Sequence, residues 1–505
     1  MTAPSETPAP TSRPPRIAVV GGGITGLAAA HRIVELATES NRPVEVTLIE
    51  ASQRLGGVFG TRRIGGYTIE TGADSFITDK PWAVDLCRRL GLESSLIGVD
   101  PEYRRALILY RGRPVPAPEG LNLMAPSRLG PILRTPLLSP LGKARLGLEW
   151  LVPRRRSRED ESLASFVRRR LGRQMLDRIV QPMIGGIYTA DPEKLSLSAT
   201  LPRFVEMERE HGSLTRAALR NRRSRPSQTE DASGARYGMF ASLAEGMSQL
   251  PGALAERIRS TGEIRLGHAV TTVEPAERVS DRSPSKSFRI RLADDSQVAA
   301  DAVILAVPAY RAADLIDAWE GQLAEALREI EYASSAIVVT GHRLADIGHP
   351  LDAAGLVVPY IEGRSLLAVS FLSRKFAGRA PEGCVVLRTF VGGAMHPEVL
   401  ERSDDELTSL VLSELGEILG VTGRPDVSTV VRYHRAMPQY HVGHQARVAA
   451  IDRIASRHPR LALAGNAYHG VGLPDCIHSG QSAAVRMWEA VHNGDLTEAM
   501  RGPAP

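Results

Sequence analysis

The stretch IAVVGGGITGLAAAHRI, residues 17–33, decides the fold of this protein. A short β-branched run, Arg16 to Val20, leads directly into three glycines, and a series of small residues follows them. Such a run bounded by glycines predicts a buried strand, and the alanines after it predict a helix. Val44 to Glu50 has the composition of a second strand. The N-terminus therefore predicts a β-α-β unit with a parallel pair of strands.

The glycines of this unit have the spacing Gly21-x-Gly23-x-x-Gly26. In dinucleotide-binding proteins these three positions allow a tight turn, a close approach of backbone to pyrophosphate, and close packing of helix on strand. Ile24 and Thr25 begin the predicted helix, whose unpaired N–H groups attract phosphate. The spacing is a weak signal alone, but its position between strand and helix indicates a dinucleotide site.

The second strand ends at Glu50, where a carboxylate accepts hydrogen bonds from ribose hydroxyls. Ala51 follows it, and the segment continues to Arg54 and the pair Gly56-Gly57. This extension is unusual for nicotinamide dehydrogenases. It resembles the second fingerprint of flavoproteins, which implies that Arg54 and the glycine pair lie along the diphosphate and ribitol of a flavin.

A second glycine-rich turn lies near the C-terminus and begins where the segment LALAGN (461–466) ends. Gly465, Val471 and Leu473 belong to it, and a helix is predicted from about 476 to 492. A helix N-terminus beside a flavin stabilises the negative charge that develops when the ring is reduced. Glycine turns at both ends of the chain predict FAD.

Two further segments resemble flavoprotein elements. DAVILAVP (301–308) is similar to the strand that lies beside the dinucleotide domain. Val270 and Val273, in GHAVTTVE, match the positions where a strand passes the adenine. The predicted fold is therefore α/β, with a Rossmann-like FAD-binding domain, an inserted α+β substrate domain and a mainly helical domain.

Composition limits the class of protein. With 505 residues, 43% hydrophobic and 24% charged, the chain predicts two to four structural units at about 100–200 residues each. The net charge of +5 is too small for this length to indicate nucleic-acid binding. Three scattered cysteines suggest a reducing compartment, and no membrane-spanning segment or signal peptide is predicted.

Domain boundaries follow from these segments and from composition. Residues 1–15 are rich in Pro, Ser and Thr and predict a disordered tail, and 221–236 predicts a mobile loop. The remaining assignments are a discontinuous FAD-binding domain (16–80, 240–310 and 445–495), a mainly helical domain with a candidate membrane-facing surface (95–225), and parts of a substrate-binding domain (81–120 and 311–444).

Six motifs together resemble the FAD-dependent porphyrinogen oxidases of haem biosynthesis and span nearly the whole folded chain. The middle and C-terminal motifs are much more specific than the glycine spacing. Their combination is most similar to the bacterial coproporphyrinogen III oxidases, with the protoporphyrinogen oxidases as close relatives. The motifs are GGGITGLAAAHRI (21–33), VTLIEASQRLGG (46–57), ETGADSF (70–76), GGIYTADPEKLSLSATLPRF (185–204), RAMPQYHVGH (435–444) and GVGLPDCIHSG (470–480).

The resemblance implies the reaction and the substrate. Six electrons leave a porphyrinogen in three rounds, flavin N5 accepts the hydride, and dioxygen becomes hydrogen peroxide. No catalytic acid or base is predicted with certainty, and no metal is predicted. The resemblance also implies that one segment contacts the cofactor, namely Gly72, Ala73, Asp74 and Ser75.

Five residues are candidates for contact with the substrate. By resemblance, Gly185, Gly186 and Tyr188 line the substrate cavity. The relatives that act on protoporphyrinogen tend to have an arginine just ahead of the hairpin strand, where it could pair with a substrate propionate. Here Ala106 aligns with that arginine, and Arg104 and Arg105 lie beside it, so a role for an arginine in substrate binding stays open. Lys80 is a further candidate for pairing with a substrate carboxylate.

Other conspicuous residues favour structural interpretations. The run Arg168-Arg169-Arg170 predicts a solvated helix face, with a weak contact to anionic lipid as the alternative. Cys476 lies near a predicted helix N-terminus and is expected to be a small packed residue, with a redox-active thiol as the alternative. The histidines in and beside the motif at 435–444 have no carboxylate or cysteine at metal-ligand spacing and predict polar contacts near the flavin. They are His434, His441 and His444.

Several alternatives remain open at this stage. The nearest is protoporphyrinogen IX oxidation, and more distant ones are a flavin amine oxidase, a carotenoid desaturase or an FAD-containing scaffold without turnover. The expected partners are a porphyrinogen and dioxygen, and not nucleic acid. The oligomeric state, monomer or homodimer, is left open. Hand-over of the product to the next haem-pathway enzyme is left open as well. The predicted location is the cytoplasm, with peripheral contact to the plasma membrane left open.

Overall fold

The computed structural model describes residues 13–126, 128–224, 240–276 and 287–492. The predicted tail up to residue 12 and the predicted loop beyond residue 224 lie outside the described residues. The first described residue of the predicted tail, Arg13, is held in place, because its guanidinium donates to both carboxylate oxygens of Asp301 at 2.7 and 2.8 Å.

A five-stranded parallel sheet forms the centre of the FAD-binding domain, and its strands come from the beginning, middle and end of the chain. Both faces are covered, which explains why strands such as IAVV and AVIL are apolar throughout rather than alternating. This arrangement confirms the predicted convergence of the two ends. In spatial order the strands are Glu263–Leu266, Glu45–Glu50, Arg16–Val20, Ala302–Leu305 and Leu461–Leu463.

Helices cover one face of this sheet, and a small antiparallel sheet with further helices covers the other. The first face carries the helices Ile24–Ser40, Trp82–Arg89, Gln249–Arg259 and Leu473–His492. The second face carries the strands Val270–Pro275, Phe288–Leu292 and Gln297–Ala300 and the helices Ala309–Ile316, Gly321–Arg328 and His444–Ala455.

A seven-stranded mixed sheet forms the second domain. The helix Asp404–Leu419 covers its core, and Ser403 and Glu406 begin this helix with a reciprocal capping box. In order the strands are Val427–Pro438, Tyr332–Arg343, Cys384–Gly392, Leu366–Phe371, Gly355–Val357, Ala106–Tyr110 and Arg113–Pro116. The short helical segments are Leu344–Asp346, Tyr360–Glu362, Leu372–Lys375 and Pro397–Glu401.

Small strands and turns connect these domains. The strands Phe76–Ile77, Phe240–Leu243 and Leu96–Gly98 form one sheet, and Thr61–Ile64 pairs with Tyr67–Glu70. Two single turns, Glu93–Ser95 and Pro101–Tyr103, follow the helix Trp82–Arg89.

The third unit is mainly helical, as predicted, and has its own apolar core around Phe166, Ile179 and Phe204. Its helices are Leu129–Arg134, Pro140–Gly147, Leu148–Leu151, Leu163–Arg170, Arg173–Met175, Gln181–Tyr188, Leu197–Thr200, Pro202–His211 and Leu214–Ser224, with a π turn at Leu176–Val180 and a hairpin of Leu121–Asn122 and Ala125–Pro126.

The packing differs from the predicted boundaries in two places. The helix Trp82–Arg89, which we expected in the substrate domain, packs into the core of the FAD-binding domain through Leu86 and Cys87. The helices Ala309–Ile316 and Gly321–Arg328 also pack on the FAD domain rather than the substrate domain. Composition does not reveal this, because an apolar helix face looks the same whichever core it covers.

The interpretation of Arg168-Arg169-Arg170 as a solvated face was wrong for two of the three residues. Only Arg168 is exposed, where it pairs with Glu193. Arg169 pairs with Glu161 and Glu208, and the side chain of Arg170 is fully buried. Three consecutive helical residues cover most of the circumference of the helix, so one of them had to face the core.

Arg170 is held by a buried carboxylate network. Its guanidinium pairs with Glu149 and also donates to Glu208 at 3.1 Å. Glu149 also accepts from Ser213 Oγ at 2.6 Å and from the Leu214 N–H at 3.0 Å, at the start of the last helix of this unit. Burial alone raises the pKa of Glu149, but the bonds from Ser213 and Arg170 lower it below its ordinary value.

We expect Arg170→Met to lower the free energy of unfolding by about 3–5 kcal/mol, because it leaves a buried carboxylate without its cation. Arg168→Met removes an exposed ion pair of the same helix and should cost less than about 1 kcal/mol. Urea unfolding followed by far-ultraviolet circular dichroism measures both. Adding Glu149→Gln to Arg170→Met should recover part of the lost free energy of unfolding, because it removes the unpaired buried charge. Equal losses in Arg170→Met and Arg168→Met would contradict this account.

Candidate active site

The N-terminal glycines form a phosphate cradle. Gly21 has φ +107°, and a Cβ there would lie 2.4 Å from the carbonyl oxygen of Ala306. A Cβ on Gly26 would lie 1.9 Å from the Gly21 carbonyl oxygen, so both positions require glycine. A Cβ on Gly23, in contrast, would meet no protein atom within 4 Å. Gly23 caps the helix Ile24–Ser40 without a side-chain hydrogen bond, so the free N–H groups of the first turn are available to an anion.

Glu50 lies beside this cradle at the end of its strand. One carboxylate oxygen accepts the Gly22 N–H at 2.6 Å and the other accepts the Ser52 N–H at 2.8 Å. These bonds orient the carboxylate while its remaining lone pairs stay available, because each carboxylate oxygen has more than one acceptor site. Ala51 lines the same cavity.

The second fingerprint packs against the first. The Gly56 N–H donates to the Gly22 carbonyl at 2.8 Å, and a Cβ on Gly57 would lie 3.2 Å from Gly23 Cα. Arg54 donates to the carbonyl oxygens of Phe59 and Gly57, at 2.7 and 2.6 Å. Its guanidinium therefore holds the turn, and its contact with a flavin diphosphate remains a prediction.

These elements enclose a cavity of about 420 Å³. Its walls come from the beginning, middle and end of the chain, as the sequence predicts for FAD. The predicted residues that line it are Gly21, Gly23, Ile24, Thr25, Glu50, Ala51, Gly56, Gly57, Val270, Gly465, Val471 and Leu473. Sequence reasoning missed others that line it, including His268, Arg311, Ala436 and Asn466.

Val273 has a packing role, and Cys476 is a buried residue at the wall of this cavity. Val273 is fully buried in the core below the small antiparallel sheet, and its carbonyl accepts from the Trp319 indole at 2.6 Å. Burial raises the pKa of the Cys476 thiol to about 12, so the thiol is protonated at neutral pH. This agrees with the interpretation of Cys476 as a small packed residue.

The C-terminal turn is held by Tyr440. Its hydroxyl donates to the Asn466 carbonyl at 2.6 Å and accepts the Gly470 N–H at 2.8 Å. The ring of His444 stacks on Tyr440 with centroids 3.8 Å apart, and its Nε2 lies 3.2 Å from the Tyr468 carbonyl oxygen. Burial lowers the pKa of His444 to about 4, so this imidazole is neutral at physiological pH.

A second cavity of about 320 Å³ adjoins the first. The two share Val471 and Leu473 of the C-terminal turn, so a ligand in one meets a ligand in the other at these side chains. Most of its wall is apolar, with residues from the helix Gln181–Tyr188, the seven-stranded sheet and the 74–77 segment. Prominent among them are Met183, Ile187, Leu356, Val357, Val369, Phe390 and Met437.

Of the predicted glycine pair, Gly186 lines this cavity. Both glycines lie inside the helix Gln181–Tyr188, and a Cβ on Gly186 would lie 3.9 Å from Val357 and Ala368. The protein has room for a side chain there, so its absence leaves space for a ligand. Gly185 faces Gln181, and the Tyr188 hydroxyl donates to the Thr200 carbonyl at 3.4 Å.

Two residues of the 72–75 segment line the second cavity, and contact of this segment with the cofactor remains a prediction. Gly72 permits close packing, since a Cβ there would lie 1.6 Å from the Val58 carbonyl oxygen. Ala73 follows it, and Asp74 and Ser75 line the second cavity. The Asp74 carboxylate meets Lys375 Nζ at 3.0 Å and Arg388 Nη1 at 2.8 Å.

Two predicted substrate cations are paired elsewhere. Lys80 Nζ lies 2.6 Å from an Asp475 carboxylate oxygen, and Arg105 pairs with Asp352. Neither lines the second cavity in the part of the chain that the structure describes. Lys375 is the lysine that does line it. It carried no local sequence signal, because it follows an ordinary strand and lies 301 residues from Asp74.

The glycine cradle, the open position at Gly23 and the walls from both chain ends fit a flavin dinucleotide. The chain matches the family model for flavin containing amine oxidoreductase over residues 24–488. It therefore belongs to this family, and its cofactor is FAD.

Among its relatives, the coproporphyrinogen III oxidase of Bacillus subtilis strain 168 is 32% identical, over 92% of this chain and 96% of that protein. The enzyme of the same name from Propionibacterium freudenreichii is 34% identical, with 96% and 93% coverage. Protoporphyrinogen oxidases of plants match at 26–29%. A crystal structure from Exiguobacterium sp. 255-15, assigned as a protoporphyrinogen oxidase, superimposes with a TM-score of 0.80 at 31% identity, covering 94% and 98% of the chains.

We expect Tyr440→Phe to weaken FAD binding by about 5- to 50-fold, because an N–H and a carbonyl of the flavin-side turn lose their partner. Titration of apoprotein with FAD, followed by flavin fluorescence, measures the dissociation constant. Tyr468→Phe is the matched control, since its hydroxyl is buried without a hydrogen-bond partner among the described residues. A comparable loss in both variants would contradict a specific role for Tyr440.

Proposed function

We propose that this protein is an oxygen-dependent FAD oxidase that converts coproporphyrinogen III to coproporphyrin III. Each turnover of substrate releases six electrons and six protons, and three dioxygen molecules take them up as three molecules of hydrogen peroxide. The observation that carries the proposal is the apolar cavity that meets the FAD cavity at Val471 and Leu473. The similarity to bacterial coproporphyrinogen III oxidases supports it.

When bound, FAD supplies the two-electron acceptor that dioxygen can reoxidise. The residues of the second cavity then have three tasks: to bind the macrocycle, to orient one of its methylene carbons towards Val471 and Leu473, and to exclude water. Gly186 leaves the space that a flat tetrapyrrole needs. Burial by itself raises the pKa of Asp74, but Lys375 and Arg388 hold it well below its ordinary value, so Asp74 remains a carboxylate.

The charge of the cavity argues against an amine substrate. Lys375 is the one lysine or arginine among the described residues that line it, and its ammonium repels a protonated amine while it attracts carboxylates. Coproporphyrinogen has four carboxylates and protoporphyrinogen has two, so the one positive charge that Lys375 and Arg388 together leave in excess over Asp74 favours the former. Protoporphyrinogen IX remains the alternative substrate.

We expect purified protein in air to form porphyrin faster from coproporphyrinogen III than from protoporphyrinogen IX, with three peroxides per porphyrin. Porphyrin fluorescence and a peroxidase-coupled assay measure both. Gly186→Leu should retain FAD and lose at least about tenfold in kcat/KM, because its side chain occupies the cavity. Gly185→Ala, outside the cavity wall, is the matched control.

Faster turnover of protoporphyrinogen would replace the substrate assignment. Absence of turnover of either porphyrinogen by protein that has full FAD content would overturn the proposed activity.

We also propose that the helical unit rests on an anionic membrane. Between residues 129 and 151, five large apolar side chains are exposed, among them Leu141 at 81% and Leu151 at 69%. Exposed cations lie within this stretch, at Arg134, and just after it, at Arg154 and Arg156. Apolar side chains flanked by cations suit the interface of an anionic bilayer. No helix of the described residues is long and apolar enough to span a membrane.

A position at the inner face of the plasma membrane agrees with a cytoplasmic location. The three cysteines are free thiols, which is typical of a reducing compartment. A membrane-bound enzyme would also release its flat product at the same surface, where the next enzyme of the pathway could take it up.

We expect the protein to float with vesicles that contain phosphatidylglycerol, and Leu141→Glu with Leu151→Glu to reduce the bound fraction at least about tenfold. Ile64→Glu, at an exposed apolar residue of another domain, is the control and should change nothing. Failure of the wild-type protein to bind such vesicles at low ionic strength would refute the membrane proposal.

A further inference from the structure

Asp74, Lys375 and Arg388 form a compact charged cluster at the wall of the second cavity. Lys375 Nζ lies 3.0 and 3.2 Å from the two oxygens of Asp74, and Arg388 Nη1 lies 2.8 Å from one of them. The three side chains are between 1% and 12% exposed. This is a largely dehydrated ion cluster, in which an unbalanced charge is expensive.

The cluster has one positive charge in excess, because two cations share one carboxylate. A further buried pair, Glu70 and Arg379, lies 3.7 Å apart, and its two charges balance each other. Ser75 Oγ donates to Asp74 at 2.7 Å, and a hydroxyl adds no charge. Among the described residues, the cluster therefore lacks one negative charge.

Arg388 alone can neutralise Asp74. It also donates to the Gly72 carbonyl, and it is not part of the cavity wall in the described residues. Lys375 is therefore not needed to balance the carboxylate, yet it is the cation that reaches the cavity. Its ammonium lies 5.1 Å from the ring centre of Phe376 and 5.7 Å from that of Phe240, and such aromatic faces help to hold a cation in place.

We propose that Lys375 binds one carboxylate of the porphyrinogen, with Asp74 and Arg388 as positioning residues that hold the ammonium at the cavity wall. This inference rests on the proposed function and adds the group that recognises a substrate side chain. Ser370, whose hydroxyl lies 3.5 Å from Asp74, lines the cavity beside Lys375 and offers a further donor. An anchored carboxylate fixes the rotation of the macrocycle, and so selects which methylene carbon lies at Val471 and Leu473.

This assignment differs from the one that the sequence suggested. Lys80 and Arg105 each have a carboxylate partner of their own in this chain, and neither lies on the cavity wall as described. A substrate carboxylate at either would have to displace that partner. At Lys375 it completes a cluster that lacks one negative charge.

The first test compares ligands with the wild-type protein alone. We expect coproporphyrin III to bind at least about tenfold more tightly than its tetramethyl ester, which has the same ring and no charge. Quenching of the porphyrin fluorescence on binding measures both dissociation constants. Equal affinities would overturn the proposal without any variant. This measurement needs no turnover, so its outcome is separate from that of the activity assay.

The second test is Lys375→Met, which keeps the apolar length of the side chain and removes its charge. We expect KM for coproporphyrinogen III to rise about 10- to 100-fold with kcat within about threefold, and the preference for acid over ester to disappear. Lys375→Arg should retain the preference. Lys194→Met, at an exposed lysine outside the cavity, is the matched control.

A purely structural role predicts a different pattern. If Lys375→Met weakens acid and ester equally, or lowers kcat with KM unchanged, the lysine does not bind the carboxylate. Asp74→Asn should change the affinity for the product in the opposite direction to Lys375→Met. Because it leaves two cations unbalanced, the affinity for coproporphyrin III should rise. A fall in that affinity as large as the fall in Lys375→Met would overturn the proposal. If the wild-type protein turns over neither porphyrinogen, the proposed function itself is refuted.

Discussion

The close packing of the first helix on the last one is the contact on which the rest of the structure depends. The helices Ile24–Ser40 and Leu473–His492 approach so closely at Gly480 that a Cβ there would lie 2.2 Å from the Thr25 carbonyl oxygen. This contact joins residues 455 positions apart in the chain. Because each end supplies only part of the FAD cavity, neither could bind the cofactor without the other, and the long insertions between them are built on this junction.

The position of the second cavity follows from the same junction. The C-terminal turn that completes the FAD cavity also forms one wall of the apolar cavity, through Val471 and Leu473. Tyr440 connects this turn to the helical unit, since its hydroxyl bonds to residues 466 and 470 while its carbonyl accepts the Ser196 N–H at 2.7 Å. The motif RAMPQYHVGH thus acts as a three-way connection between the domains. Its Gly443 N–H also donates to Asp160 of the helical unit at 3.0 Å.

Charge is distributed differently in the two cavities, and this division suits the proposed chemistry. The FAD cavity presents backbone N–H groups and a fixed Glu50 carboxylate, which complement phosphate and ribose. The second cavity is apolar except for one ion cluster with excess positive charge. A ligand with an apolar ring and anionic edges is complementary to such a wall, and a cationic ligand is not.

The sequence by itself determined the FAD-binding β-α-β unit, the convergence of the two ends and the family, because glycines at fixed spacing and short apolar strands act through local backbone geometry. Tertiary structure alone decided which charges are buried and which cation reaches the substrate cavity. Arg170 lies in a core although its neighbour Arg168 is exposed, and Lys80 is paired while Lys375 lines the cavity. The reason is that a long charged side chain has no local signal for burial: its partner comes from a distant segment, and only the folded chain brings the two together.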